Sequence, residues 1–255
     1  MSAPLLQLRE VGKNFGGVQA VRGLSFSVQR GQVLGLIGPN GSGKSTSVNL
    51  ISGTLPVSSG AIEFDGQSVN DLPISARVPL GLARTFQTTT LFPEFTVRNQ
   101  VLAACHTRFR CAPWAAVFRL PAARSEEVRQ RARADEILAF VGLGDVAQEL
   151  ASSLSSAQQR LLMIATALAS EPALVLLDEP AAGMVAKERK DLAGLIQRIQ
   201  ARGVAVLVIE HHMGLIMEVC ESIVVLNFGQ KIAEGTPAEI RANPAVIDAY
   251  LGGAH

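Results

Sequence analysis

The residues with the clearest chemical spacing are Gly38-Pro39-Asn40-Gly41-Ser42-Gly43-Lys44-Ser45-Thr46, which fill the pattern G-x-x-x-x-G-K-S/T. Glycines at these spacings let the backbone curl until successive N–H groups point inward at phosphate oxygens. Lys44 adds a cation, and the Ser45 hydroxyl is a ligand for Mg²⁺. The bland reading is a glycine turn. Against it, the motif follows the apolar run Val33–Ile37, which reads as a buried strand, and precedes Lys44–Ser52, which reads as a helix. A strand, a glycine loop and a helix N-terminus in that order make a cradle for a nucleoside triphosphate, so ATP with Mg²⁺ is the expected ligand.

A second acidic element, Leu174-Val175-Leu176-Leu177-Asp178-Glu179-Pro180, ends an apolar strand on two carboxylates. Open α/β sheets bind ligands beyond the carboxyl ends of their strands. Asp178 is placed to hold the metal, through water, and Glu179 to polarise an attacking water. An acidic strand end standing alone would more often cap a helix.

Short β-type runs at Leu5–Leu8, Leu24–Val28 and Ile62–Phe64, punctuated by Gly12, Gly16, Gly17, Gly31, Gly60 and Gly66, make the first third strand-rich. From about Thr88 to Thr166 the pattern turns helical, with Ser125–Val141 as an Arg/Glu-rich amphipathic helix. Apolar runs at Ala173–Leu177, Val204–Ile209 and Ile223–Leu226 then alternate with helical stretches around Lys187–Ala201 and Met213–Cys220. That alternation implies a parallel sheet, and unbroken runs such as VAVLVI suit strands covered on both faces. After Asn243-Pro244 the end of the chain reads as a short helix.

Composition narrows the partners. With 48% hydrophobic and 18% charged residues the chain is globular, and a net charge of +1 gives no electrostatic footprint for nucleic acid. Cys105, Cys111 and Cys220 are widely spaced without a C-x-x-C pair, so neither a disulfide framework nor a zinc site is expected. No stretch approaches the roughly 18 to 20 apolar residues that span a bilayer, so the expectation is a soluble or peripheral protein.

With both phosphate-site motifs in place, the chain resembles the ATP-binding-cassette ATPases. Leu154-Ser155-Ser156-Ala157-Gln158-Gln159-Arg160 sits where that family carries its LSGGQ-type signature. The resemblance covers essentially the whole chain. It implies an α/β, P-loop NTPase (RecA-like) core with an antiparallel β subdomain and an inserted helical subdomain. The implied division is 1–88 and 167–235 for the ATP-binding core, 89–166 for the helical subdomain and 236–255 for a C-terminal tail. Phe15, in VGKNFGG, resembles the aromatic that stacks on adenine; Gln87, in ARTFQ, the Q-loop glutamine at metal or water; and His211, in VIEHHM, the switch histidine at the γ-phosphate. Ser155, Ser156, Ala157 and Gln158 would act in trans, on the nucleotide of a second ATPase subunit.

Within the family, GLARTFQTTTLFPEFTVRNQVLAA, LLDEPAAG and GQKIAEGTPAEIRANPAVIDAYLG are similar to ATPase subunits of branched-chain amino-acid importers. That similarity implies a second, different ATPase, two membrane permease subunits and, indirectly, an extracytoplasmic solute-binding protein. It implies no nucleic acid, and a peripheral seat on the cytoplasmic face of the cell membrane. Leu91, Phe92 and Phe95 are candidates for a permease-docking groove or for core, and Cys105–Arg124, with Arg108, Arg110, Trp114, Phe118 and Arg119, for a family-specific segment or a solvated loop. Two other transport readings are the ATPase of a lipopolysaccharide-extracting system and a subunit that binds ATP with weak hydrolysis. A cassette ATPase acting on DNA or ribosomes is disfavoured by the absence of a second cassette and of basic excess.

The chain departs from the family pattern at two places. Ala157, with Ser156 before it, stands at the fourth position of the signature, where a glycine is usual, and Met184-Val185 stand where the D-loop usually reads Leu followed by Asn or Asp. Both segments act across the dimer, whereas Phe15, Lys44, Ser45, Gln87, Asp178, Glu179 and His211 act on the chain's own nucleotide. The expectation is an asymmetric heterodimer in which the site completed by Ser155–Gln158 turns over slowly.

Overall fold

The computed structural model describes residues 3–85, 91–105 and 121–251. Its strands are β1 (Leu6–Phe15), β2 (Val18–Val28), β3 (Val33–Ile37), β4 (Ser59–Phe64), β5 (Gln67–Ser68), β6 (Leu82–Arg84), β7 (Leu174–Asp178), β8 (Ala205–Ile209), β9 (Ser222–Asn227) and β10 (Gln230–Gly235). Its helices are α1 (Lys44–Ser52), α2 (Ile74–Arg77), α3 (Val97–Cys105), α4 (Pro121–Val141), α5 (Ser156–Leu168), α6 (Ala186–Ala201), α7 (Met213–Val219), α8 (Pro237–Ala242) and α9 (Pro244–Leu251). The chain falls into two compact units, Met1–Arg84 with Ala173–His255, and Thr85–Pro172.

The first unit holds two sheets. An antiparallel sheet runs β2-β1-β4-β5, and a six-stranded sheet runs β10-β9-β3-β8-β7-β6. In the second, β9, β3, β8, β7 and β6 are parallel neighbours and β10 joins antiparallel at the edge. All residues of β3, β7 and β8 are buried, as expected of strands covered on both faces. One apolar core joins the sheets: Leu6, Leu8, Phe26, Ile62 and Phe64 meet the same cluster as Leu34, Leu36, Leu176 and Leu207. Gly35 in the middle of β3 is closely packed, since a Cβ there would lie 3.0 Å from Cys220 Sγ and 3.4 Å from the Ile216 side chain.

α1 carries the phosphate motif at its start, and its other end is tied down by arginine. Arg77, buried with its guanidinium, donates to the carbonyls of Leu50, Ile51 and Leu72 at 2.7–2.8 Å. A cation on the last carbonyls of a helix satisfies orphan acceptors and meets the negative end of the helix dipole. Burial lowers the Arg77 pKa to about 10, which leaves the cap charged at neutral pH.

The second unit is helical. Val101, Ile137, Leu138 and Leu162, from α3, α4 and α5, are buried in it, and Arg98 pairs with Asp135 at 2.6 Å. The buried Gln100 donates to the Phe92 carbonyl at 2.7 Å, and the Ala151 N–H donates to that of Phe95. These bonds hold Phe92 and Phe95 with ring centroids 5.0 Å apart, and both rings are exposed rather than in the core. Leu91 is half-buried. Residues 86–90 and 106–120, which include Gln87, Arg108, Arg110, Cys111, Trp114, Phe118 and Arg119, lie outside the described residues.

Candidate nucleotide site

Three neighbouring parallel strands end on one edge of the large sheet. Leu36 of β3 is in register with Ile209 of β8, which in turn pairs with Asp178 of β7. The chain leaving them reads Gly38, Glu210-His211 and Glu179. Parallel pairing therefore brings the phosphate motif, the strand-end carboxylates and the histidine to the edge where open α/β sheets bind ligands.

At Gly38, a Cβ would fall 2.1 Å from the Leu226 carbonyl oxygen and 2.6 Å from Ser42 Oγ. At Gly43, which has φ +99° and precedes α1, a Cβ would meet the Ala20 carbonyl at 2.6 Å. The β9–β10 turn holds the loop from outside, its Gly229 N–H donating to the Ser42 carbonyl at 3.0 Å. Ser42 Oγ is buried and has no hydrogen-bond partner among the described residues, which suits a loop that binds a polar ligand. Lys44 Nζ donates to the carbonyls of Gly38 and Pro39 at 2.7 and 2.9 Å. Burial lowers its pKa, while the charges of Glu179 and then Asp178 oppose that shift, so both carboxylates act on the ammonium. Ser45 and Asn40 are exposed, and Pro39 and Thr46 half-buried. Gly41, at φ +77°, borders open space.

Asp178 is 2% exposed, and its Oδ2 accepts from Arg84 Nη2 at 2.9 Å. The next residue, Glu179, has φ +48°, a left-handed conformation that a glutamate adopts only at a cost, and its N–H donates to the Ile209 carbonyl at 2.8 Å. Strain of this kind concentrates at functional sites. Among the described residues no group of three or more His, Cys, Asp or Glu could hold a metal. Mg²⁺ is bound through one or two protein oxygens together with phosphate and water. Ser45, Asp178 and the open cradle are the groups that suit it.

His211 is exposed, and its backbone is fixed by a residue that sequence reasoning did not select. Glu210, 1% exposed, accepts from the N–H groups of His211 and His212 with Oε2, each at 2.9 Å, and from that of Ala181 with Oε1 at 3.0 Å. One buried carboxylate therefore joins the histidine segment to the turn after Glu179. A glutamate beside a histidine has no distinctive spacing; the only sequence signal was an acid directly after the apolar strand Ala205–Ile209.

Phe15 ends β1 at the hairpin to β2, is 45% exposed, and carries Lys13 Nζ 5.3 Å from its ring centroid. Its ring is available for stacking. In the second unit, Ser155 caps α5: Ser155 Oγ accepts from the Gln158 N–H at 3.3 Å, and Gln158 Oε1 accepts from the Ser155 N–H at 3.0 Å. Ser156 and Ala157 are the first two helical residues, at an N-terminus suited to an anion, and Ser155 and Ser156 are exposed. On the D-loop side, Met184 is buried and Val185 is the exposed N-cap of α6, offering that helix no side-chain bond.

The strand-edge site and the two-sheet fold around it define an ATP-binding cassette. The ABC transporter family model matches residues 21–182, and a model described as "Branched-chain amino acid ATP-binding cassette transporter" matches residues 230–255. The chain belongs to the ABC transporter family and is an ATPase of it. It is 40% identical over 253 residues to the high-affinity branched-chain amino acid transport ATP-binding protein BraF of Pseudomonas aeruginosa, and 37% identical to LivG of Escherichia coli, with 99% of each chain covered in both cases. The lipopolysaccharide export system ATP-binding protein LptB of Haemophilus influenzae is 29% identical, with 97% of each chain covered. Among solved structures, the ADP conformation of MJ1267, an ATP-binding cassette of an ABC transporter, matches with a TM-score of 0.86 and 30% identity, over 98% of this chain and all of that one. No described helix is long and apolar enough to cross a membrane.

Proposed function

We propose that this chain is one of two non-identical ATPase subunits that power a branched-chain amino-acid importer. It sits on the cytoplasmic face of the cell membrane against two permease subunits, which receive solute from an extracytoplasmic binding protein. The observation that carries the reading is the meeting, at the ends of three parallel strands, of the phosphate loop, Asp178, the strained Glu179 and the His211 segment. The fuller likeness to branched-chain transport ATPases than to the lipopolysaccharide-export protein favours amino acids as cargo.

In this reading adenine stacks on Phe15, and the N–H groups of Gly38–Gly43 with the start of α1 hold the phosphates. Lys44 leaves the Gly38 and Pro39 carbonyls for the β- and γ-phosphates. Ser45, Asp178 and Gln87 are the metal-side groups; when bound, Mg²⁺ neutralises charge on the phosphate oxygens. Glu179 accepts from the attacking water, and His211 donates to the γ-phosphate as negative charge moves onto it. Lys44→Ala should weaken nucleotide binding at least tenfold, whereas Glu179→Gln should bind normally and stop turnover. Equal loss of binding in both variants would overturn these assignments.

Asymmetry belongs to the same proposal. Ser156 and Ala157 put Cβ atoms on the first two residues of a helix N-terminus that serves the partner's nucleotide, and Val185 brings no polar group across the dimer. The chain's own ATP is hydrolysed with the partner's signature, and the opposite site turns over slowly. The exposed Phe92–Phe95 pair supports a permease-docking role for that surface.

A further inference from the structure

Arg84, the last residue of β6, is a cation in an almost closed place. Its side chain is 7% exposed and that of its partner Asp178 is 1% exposed. The two ends of the guanidinium face different elements. Nη2 donates to Asp178 Oδ2 at 2.9 Å, at the end of β7, while Nη1 donates to Asn49 Oδ1 at 2.7 Å and to Ser52 Oγ at 3.0 Å, both on α1. A planar fork of fixed donors can hold two such elements in one geometry; an ammonium on a flexible stem serves one of them at a time.

Stability alone is a poor reason for this arrangement. Two ions withdrawn from water carry a desolvation cost that their attraction often fails to exceed, and an apolar pair of similar volume is commonly as stable. The pair instead joins the two elements that carry the metal-side groups: α1 presents Ser45 at its start, and β7 presents Asp178 at its end.

We propose that Arg84 is a positioning residue for the metal shell of the nucleotide site, setting the separation of Ser45 and Asp178 by bolting α1 to β7 through Asn49, Ser52 and Asp178. This rests on the reading of Ser45 and Asp178 as metal-side groups. The sequence signal was slight, a single arginine closing a three-residue strand after two apolar residues.

The test compares full-length wild type, Arg84→Lys, Asn49→Ala and Asp178→Asn by two equilibrium measurements. The first is the affinity for adenylyl imidodiphosphate in EDTA; the second is the dissociation constant of Mn²⁺, read by its paramagnetic resonance signal, with that nucleotide saturating. Metal-free nucleotide affinity should stay within about twofold of wild type in Arg84→Lys and Asn49→Ala. Mn²⁺ affinity should fall about tenfold in Arg84→Lys, the usual loss when a residue supporting a metal ligand is changed, and about fivefold in Asn49→Ala, which removes one hydrogen bond and keeps the ion pair. An unchanged Mn²⁺ affinity in Arg84→Lys, or equal loss of both affinities, overturns the proposal. Asn49→Ala decides the matter in the same way if Arg84→Lys does not fold. If Asp178→Asn weakens Mn²⁺ and neither other variant does, Arg84 has no positioning role. If Asp178→Asn leaves Mn²⁺ unaffected, the reading of the metal site itself fails.

Discussion

Glu210 offers the sharpest quantitative handle on how the site is held. In Glu210→Gln the shape is kept, but one oxygen that accepts becomes an NH₂ that donates. The amide can keep its oxygen toward the His211 and His212 N–H groups, leaving the Ala181 N–H facing a second donor, or the reverse. The first orientation loses one bond and the second two, so the first is adopted. A buried N–H that loses a charged acceptor costs about 1.5–3 kcal/mol. At about 1.4 kcal/mol per tenfold, protection of the Ala181 amide from hydrogen exchange should fall roughly ten- to hundredfold. The His211 and His212 amides keep an acceptor of lower charge and should lose less. Nucleotide binding, which in this reading rests on the phosphate loop, should be unchanged, while turnover falls because His211 is less firmly held. The assay is amide exchange of the full chain by NMR. A change in Ala181 protection of less than about twofold would refute the idea that this carboxylate is what joins the two segments.

Two further outcomes follow from neighbouring parts of the structure. Val185→Asn gives α6 the side-chain cap it lacks and should raise stability by about 1 kcal/mol in urea unfolding; no gain would mean that the helix start is already satisfied. Burial raises the Cys220 thiol from 9.0 to about 12, so the folded state disfavours the thiolate. The stabilisation is complete below pH about 9 and is lost as pH rises toward 12, at about 1.4 kcal/mol per pH unit. Comparison with Cys220→Ala isolates this contribution, since the extra alkaline slope should vanish; an equal slope in both proteins would contradict it.

The parts of the fold that position phosphate were readable because local signals agree there. Apolar residues on both sides of Gly35, ending at Gly38, marked Val33–Ile37, and the phosphate motif marked the start of Lys44–Ser52; both elements have those bounds in the structure. Elements fixed by tertiary pairing were less legible. β6 has three residues and β10, Gln-Lys-Ile-Ala-Glu-Gly, holds a single β-branched residue at a sheet edge, so neither carries a strand signal of its own. β1 and β2 extend well beyond the apolar runs Leu5–Leu8 and Leu24–Val28, because the hairpin continues through Asn14, Phe15 and Gln19 on backbone pairing. The same distinction divides the candidate site. Lys44, Ser45, Asp178 and Glu179 stand in motifs whose spacing reports their chemistry. Arg84 and Glu210 work through partners 94 and 29 residues away, and no local pattern encodes such contacts.

The most direct test of the central claim is capture of the closed complex. Glu179→Gln, tagged and loaded with Mg-ATP in its native membranes, should after gentle solubilisation bring down two permease chains and a second, different cassette ATPase. Recovery of only another copy of itself, or of ribosomal or DNA-repair proteins, would contradict the importer assignment and the asymmetric pair together.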